Sequence, residues 1–183
     1  MTITEIGRQA KEVTGIIGII GSAKKEEGLK AAAAALLEGE AEILSANQDD
    51  VIKATAAGMS QGLIDRLELT PKRIEDMAEG LLAVAALEDP VGEVISMKMR
   101  PNGLTIGQKR VPLGVVGIIY EARPNVTADA FGLCFKSGNA VILKGGSDAL
   151  ESNKAIVKWL RTGLSRAGLP ENILQLITDT DRE

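Results

Sequence analysis

The spacing of hydrophobic positions predicts helices through the first part of the chain. Four apolar residues of one segment follow helical spacing: Ile74, Met77, Leu81 and Val84. Thr70 and Pro71 suit the N-cap and the first position of that helix, and Pro90 and Gly92 mark its end. The stretch "EEGLKAAAAALL" is rich in strong helix formers, and the helical segment after it offers four candidate inward positions: Ile43, Leu44, Val51 and Ile52. We therefore expect a helical N-terminal part over residues 1–92.

The glycines of "GIIGIIG", residues 15–21, recur every three residues. A dinucleotide-binding loop needs its glycines between a strand and a helix, and that context is missing here. We therefore interpret the segment as an apolar packing stretch, with a phosphate loop as the less favoured alternative.

The period of the pattern changes to two at residue 93. Ile95, Met97 and Met99 alternate with polar residues, which is typical of a half-buried strand. The turn signal "PNG" and the segment "LTIGQKR" follow, so a β-hairpin is predicted over residues 93–110. The methionines form either the packing face of this strand or a contact between subunits.

From Val111 onward the pattern predicts alternating strands and helices. The apolar runs "LGVVGIIY", "NAVILK" and "NILQLIT" are typical of buried parallel strands, and the segments between them have helical spacing. Ser147 is a candidate N-cap for the second helix. The order β-α-β-α-β favours the α/β class, with residues 111–183 forming half of a doubly wound parallel sheet. The final "TDTDRE" resembles the first turn of another helix, so we expect the chain to be part of a larger domain.

Composition excludes several classes of function. The 183 residues include no histidine and one cysteine, and the net charge is −4. A zinc site of the usual ligands and a Ser-His-Asp triad cannot be built from these residues. We expect no nucleic-acid partner because basic surface is scarce, and no membrane partner because long apolar runs are absent. A chain with one cysteine and no signal-peptide core is expected in the cytoplasm.

Two strand ends carry the candidate chemistry, because ligands of open α/β sheets bind at the carboxyl ends of strands. In "KGGS", residues 144–147, Gly145 and Gly146 permit close approach to a ligand, and Ser147 opens a helix whose N–H groups favour an anion. Lys144 favours the 2′-phosphate of NADP over NAD. An ordinary turn with a solvated lysine explains the same residues equally well.

The loop "YEARPN", residues 120–125, places charge directly after a buried strand. Arg123 suits a phosphate or carboxylate, and Asn125 can donate to an oxyanion. The alternative is a surface loop held by a pair between Glu121 and Arg123.

Cys134, the sole thiol, shares a helical face with Val126 and Ala130. No cation stands on that face to lower its pKa, so we predict a structural cysteine within the core.

The stretch from "VPLGVVGIIYEARPN" through "VILKGGSDALESN" resembles the gamma-glutamyl phosphate reductase (glutamate-5-semialdehyde dehydrogenase) family of the aldehyde dehydrogenase superfamily. "TPKRIEDMAEGLLAVAALEDPVGEV" is also similar to that family. The resemblance implies an aldehyde dehydrogenase-like fold, and it implies the NADPH-dependent reduction of L-glutamate 5-phosphate to the 5-semialdehyde with release of phosphate, a step of proline biosynthesis. It also implies that the hairpin is of the oligomerisation type and that the full-length enzyme forms a homo-oligomer.

The resemblance further implies a role for each candidate residue. Lys144, Gly145, Gly146 and Ser147, with Tyr120 and Glu121, correspond to cofactor-binding segments, and Arg123 and Asn125 to the substrate passage. Ala122 stands where other aldehyde dehydrogenases hold an oxyanion-binding asparagine. The family's nucleophilic cysteine lies beyond residue 183, and Cys134 does not match its motif. The chain is therefore expected to be an N-terminal portion that lacks activity alone, the alternative being a nucleotide-binding or scaffold module.

Overall fold

The computed structural model of the chain describes residues 2–179. Its helices are α1 (Ile3–Ile17), α2 (Ser22–Glu38), α3 (Glu40–Ala56), α4 (Gln61–Leu67), α5 (Pro71–Ala86), α6 (Asn125–Lys136) and α7 (Leu150–Arg166). Its strands are β1 (Val94–Met99), β2 (Thr105–Lys109), β3 (Val115–Ile119), β4 (Ala140–Lys144) and β5 (Leu174–Leu176). The part of the predicted final turn from residue 180 on lies outside the described residues.

Helix α5 begins where its sequence predicts. The Thr70 hydroxyl accepts a hydrogen bond from the backbone N–H of Arg73 at 3.2 Å, and Pro71 is the first helical residue. Ile74, Met77 and Leu81 are buried. This apolar face packs against α2, which also packs against α7, so α2 lies at the centre of the helical layer.

The prediction that Ile52 faces inward is wrong. Helix α3 buries Ile43, Asn47, Asp50 and Ala54, which recur at helical spacing. Ile52 lies off that face and is exposed, whereas Leu44 and Val51 are partly buried. Two polar residues on the buried face concealed its direction from a reading of apolar positions alone.

The predicted β-α-β-α-β order is confirmed. The sheet is parallel with the order β3-β4-β5, and Val116 pairs with Val141 while Val141 pairs with Leu174. The central strand β4 is largely buried and contacts α1 and α6. Strand β3 lies at an edge with one neighbour, so Gly117 and Ile119 are exposed and the prediction of a fully buried strand is wrong.

The hairpin forms but is not half-buried as predicted. Strands β1 and β2 pair antiparallel, and they contact each other more than any other element. Apolar side chains are exposed along the hairpin, up to 78% for Met99. Because two strands alone cannot bury a face of their own, any cover for these side chains must come from outside residues 2–179.

Residues 15–21 form the end of α1 and the turn into α2. Ile17 is buried and Ile20 packs against the core, whereas Ile19 is exposed. The segment joins two helices, so the strand that a dinucleotide loop requires does not precede it. Within residues 2–179, each helix is too short or too polar to cross a lipid bilayer.

Candidate functional site

The ends of β3 and β4 lie side by side. The Tyr120 backbone N–H donates to the Lys144 carbonyl at 3.1 Å, which continues the parallel ladder past both strands. The segments 120–122 and 144–147 are therefore neighbours at the carboxyl end of the parallel sheet. This end is called the sheet edge below. This edge is the place where ligands of open α/β sheets bind.

Gly145 and Gly146 are required by packing. A Cβ atom on Gly145 would lie 2.3 Å from the Asn153 amide nitrogen, and one on Gly146 would lie 2.9 Å from the Ala122 backbone nitrogen. Neither glycine has a positive φ. Their small size lets the two strand-end segments touch, and the predicted approach of a ligand to them stays a prediction.

Lys144 and Ser147 both lie at the sheet edge. The Lys144 ammonium donates to the backbone carbonyl of Asp179, just beyond β5. Ser147 is exposed and opens a short 3-10 turn, Ser147–Ala149. The prediction that Ser147 caps the following helix is wrong, because α7 begins only at Leu150 and its N-cap residue is Ala149.

A carboxylate from helix α3 accepts hydrogen bonds from the first turn of helix α7. One carboxylate oxygen of Asp50 accepts from the Ser152 backbone N–H at 2.8 Å and from the Ser152 hydroxyl at 2.7 Å. The Asn47 amide donates to the same hydroxyl at 3.0 Å and to the Leu67 carbonyl at 2.9 Å. A carboxylate of the chain thus already serves the helix start at which we expected a bound anion.

Sequence reasoning missed this network. Asp50 and Ser152 are far apart along the chain, and local patterns carry no signal for a partner at that distance. The two buried polar positions on α3 are a signal that could have pointed to it, because buried polar groups need partners.

The Tyr120 hydroxyl is held inside the fold. It lies 2.6 Å from the Thr127 hydroxyl, which donates to the Asn153 side-chain oxygen at 2.8 Å. Burial raises the pKa of the Tyr120 phenol. Tyr120 therefore shapes the sheet edge, while Glu121 beside it is exposed to solvent.

Arg123 and Asn125 line a cleft of about 440 Å³ between the α4–α5 region and α6. The other residues that line it are Asp65, Arg66, Glu68, Leu69, Arg73, Asp76, Met77, Val126 and Asp129. Arg123 approaches Glu121 only to 3.9 Å, with both side chains largely exposed. The predicted pair is therefore too loose to fix the loop, and the guanidinium of Arg123 remains available to an anion.

Some of the remaining charged side chains of the cleft already form hydrogen bonds or ion pairs within the chain, and others do not. Arg73 donates to the carbonyls of Asp65 and Glu68 and pairs with the Asp65 carboxylate at 3.0 Å. Asp76 pairs with Lys72 at 3.1 Å. Among residues 2–179, the side chains of Arg66 and Asp129 have no hydrogen bond or ion pair. Sequence reasoning missed both residues, because only the fold brings α4 and α6 to one cleft.

Cys134 lies in the core at 8% exposure, as its helical spacing predicts. Its neighbours in the sequence, Phe131 and Phe135, are fully buried and stack with ring centroids 5.7 Å apart. Burial raises the pKa of the Cys134 thiol, which lowers its thiolate fraction. The residue is not among those that line the cleft.

Comparison with known proteins identifies relatives over nearly the whole chain, although no family model matches. A gamma-glutamyl phosphate reductase of Clostridium beijerinckii is 56% identical over 177 residues, covering 97% of this chain and 43% of that protein. The crystal structure of gamma-glutamyl phosphate reductase from Thermotoga maritima has a TM-score of 0.94 at 44% identity, covering 98% of this chain and 43% of that one. Over nearly its whole length, the chain is similar to gamma-glutamyl phosphate reductases. It spans less than half the length of these relatives.

More distant structures share the fold. An acetylating aldehyde dehydrogenase of Geobacillus thermoglucosidasius has a TM-score of 0.65 at 15% identity, covering 98% of this chain and 38% of that one. A glyceraldehyde-3-phosphate dehydrogenase of Methanocaldococcus jannaschii, crystallised with NADP, has a TM-score of 0.66 at 18% identity, covering 95% and 35%. The expected aldehyde dehydrogenase-like α/β fold is therefore confirmed.

Proposed function

We propose that this chain supplies a nicotinamide-cofactor edge and one wall of the substrate cleft to an enzyme that reduces L-glutamate 5-phosphate to L-glutamate 5-semialdehyde, with release of phosphate. One observation carries the proposal. The segment that follows β3 contacts the "KGGS" segment at the sheet edge through Tyr120 and Ala122, and it continues directly into Arg123 and Asn125 on the cleft. A cofactor at the edge and a substrate in the cleft would thus be neighbours.

The sheet edge fits a phosphorylated dinucleotide. Lys144 supplies a cation, and the exposed Ser147 supplies a hydroxyl donor. Gly145 and Gly146 follow Lys144 without side chains of their own, and Tyr120 and Glu121 lie on the neighbouring segment. We assign the 2′-phosphate of NADP(H) to Lys144, because a cation at this strand end favours that phosphate. When bound, NADPH supplies the hydride.

The cleft fits the phosphorylated amino acid. Arg123 can hold an anionic group of the substrate in bidentate fashion. Asn125 is the first residue of α6 and is exposed at the cleft, so its amide can donate to a carbonyl or phosphate oxygen.

The isolated chain is proposed to bind ligands without turning them over. Its one thiol is buried with a raised pKa, so it cannot serve as the nucleophile of a covalent mechanism. That burial favours, as a second candidate, a nucleotide-binding module without activity of its own.

The full-length enzyme is proposed to be a cytoplasmic homo-oligomer. The exposed apolar side chains of the β1–β2 hairpin support a contact between subunits, because exposed apolar surface of this kind marks interaction sites.

The test is a fluorescence titration of the chain with NADPH and with NADH. The Lys144→Ala variant should bind NADPH about tenfold more weakly and NADH nearly unchanged, because a charge-assisted contact to the 2′-phosphate is lost. Lys30→Ala is the matched control, since Lys30 is exposed on α2 with only a 3.8 Å pair to Glu26, and it should change neither affinity.

Equal weakening of both cofactors by Lys144→Ala would reject the 2′-phosphate role but keep a cofactor edge. If the unmodified chain binds neither cofactor, the assignment of the edge is wrong for the chain and a scaffold role replaces it.

A further inference from the structure

Asp129 is a carboxylate on the cleft that no described cation neutralises. It lies on α6 four residues after Asn125, so both side chains project from one face of the helix into the same cleft. Its side chain is exposed at the cleft, and desolvation by the residues around it raises the pKa of its carboxyl group, with no neighbouring cation among the described residues to offset this effect. Because this carboxylate faces the cleft without a partner in residues 2–179, it is accessible to a cationic group of a ligand.

The other charged side chains of the cleft differ in whether they have a partner within the chain. Asp65 and Asp76 are each paired with a cation of the chain, at 3.0 and 3.1 Å. Arg66 has no side-chain partner among the described residues, and Arg123 has only its 3.9 Å approach to Glu121. The cleft therefore offers two available guanidinium groups and two available carboxylates, those of Asp129 on α6 and of Glu68 just after α4.

The two guanidinium groups and the Asp129 carboxylate are together complementary to a molecule with two anionic groups and one cationic group. An amino acid phosphorylated on its side chain has this combination: an α-carboxylate, a phosphate and an α-ammonium. A substrate without the ammonium would leave Asp129 desolvated and unpaired, which costs free energy.

We propose that Asp129 binds the α-ammonium group of the amino-acid substrate while Arg66 and Arg123 hold its two anionic groups. This rests on the proposed function, which places an amino-acid acyl phosphate in the cleft. Asp129 is then a specificity-determining residue that selects an amino acid over the corresponding acid without an amino group.

The test uses two stable phosphonates that differ only in the amino group: L-2-amino-6-phosphonohexanoate and 6-phosphonohexanoate. Neither has the carbonyl that would let the amino group close a ring. Calorimetric titration of the 183-residue chain should show about fivefold tighter binding of the amino compound. Asp129→Asn should abolish that preference and leave the affinity for 6-phosphonohexanoate unchanged or increased.

Two further variants separate recognition from folding. Asp76→Asn removes a carboxylate of the same cleft that Lys72 already neutralises, so it should retain the preference. Asp129→Glu keeps the charge on α6 and should retain part of the preference.

A preference that survives in Asp129→Asn would overturn the proposal, as would equal binding of both phosphonates by the unmodified chain. In either case the assignment of the cleft to a phosphorylated substrate would stand. If neither phosphonate binds, that assignment fails and the role of Asp129 fails with it.

Discussion

Gly163 shows how closely two helices approach at a single residue. A Cβ atom there would lie 2.4 Å from the Ala32 Cα and 2.7 Å from the Ala31 carbonyl oxygen. Both neighbours are backbone atoms of α2, which cannot move without shifting the helix. We expect Gly163→Ala to lower the free energy of unfolding by about 1–3 kcal/mol or more through overpacking, measured by urea denaturation.

The control for this prediction is Gly15→Ala. Gly15 lies within α1, and a Cβ atom there would meet nothing within 4 Å. The substitution should raise stability by about 0.5–1 kcal/mol because alanine is the better helix former. If both alanines change stability in the same direction, close helix contact is not the reason for glycine at 163.

Single residues were predicted from the sequence when their cause was local. Thr70 caps α5 and Cys134 is buried, because capping and helical spacing depend on residues a few positions away. The contacts that Gly145 and Gly146 permit come from other segments, which local patterns do not predict, and their place at a cofactor site stays a prediction. Arg66 and Asp129 carry no local signal at all.

Helices α3 and α7 are joined by one buried carboxylate. Asp50→Ala would leave the buried N–H and hydroxyl of Ser152 without their acceptor. We expect the free energy of unfolding to fall by about 2–3 kcal/mol. Asp49→Ala is the matched control on the exposed side of α3, and thermal unfolding of the two variants gives the comparison.

A similar change in stability for Asp49→Ala and Asp50→Ala would contradict this account, because only Asp50 contacts α7. If Asp50→Ala lowers the free energy of unfolding and Asp50→Asn does not, the hydrogen bonds of this side chain matter more than its charge.

The period of the hydrophobic pattern predicted whether each segment forms a helix or a strand. It did not predict how far each element is buried. The runs at β3 and β4 both look buried in the sequence, yet β3 is an edge strand and β4 is central. The alternation in β1 predicts a half-buried face, yet both faces are largely exposed. An apolar side chain shows that a surface favours burial. Which segment buries it depends on tertiary contacts that the local pattern does not contain.

The whole molecule is built around a shared core. Residues of α1, α2, α5, α6 and α7 and of the parallel sheet belong to one hydrophobic cluster. Sequence patterns divided the chain at residues 92 and 110 by the type of its elements, and that division into domains stays a prediction. The pattern cannot show that α2 packs on both α5 and α7, because such packing depends on contacts between distant segments.

Alkylation of Cys134 can report on unfolding of the shared core, because this residue is the only thiol and belongs to the cluster. In the folded chain, burial and a raised thiol pKa should slow its alkylation by iodoacetamide at least about a hundredfold relative to urea-unfolded chain. If the cluster unfolds cooperatively, the urea dependence of labelling should coincide with the loss of helical circular dichroism. Labelling that begins well before the helices are lost would show that α6 opens separately and that the core is not one cooperative unit.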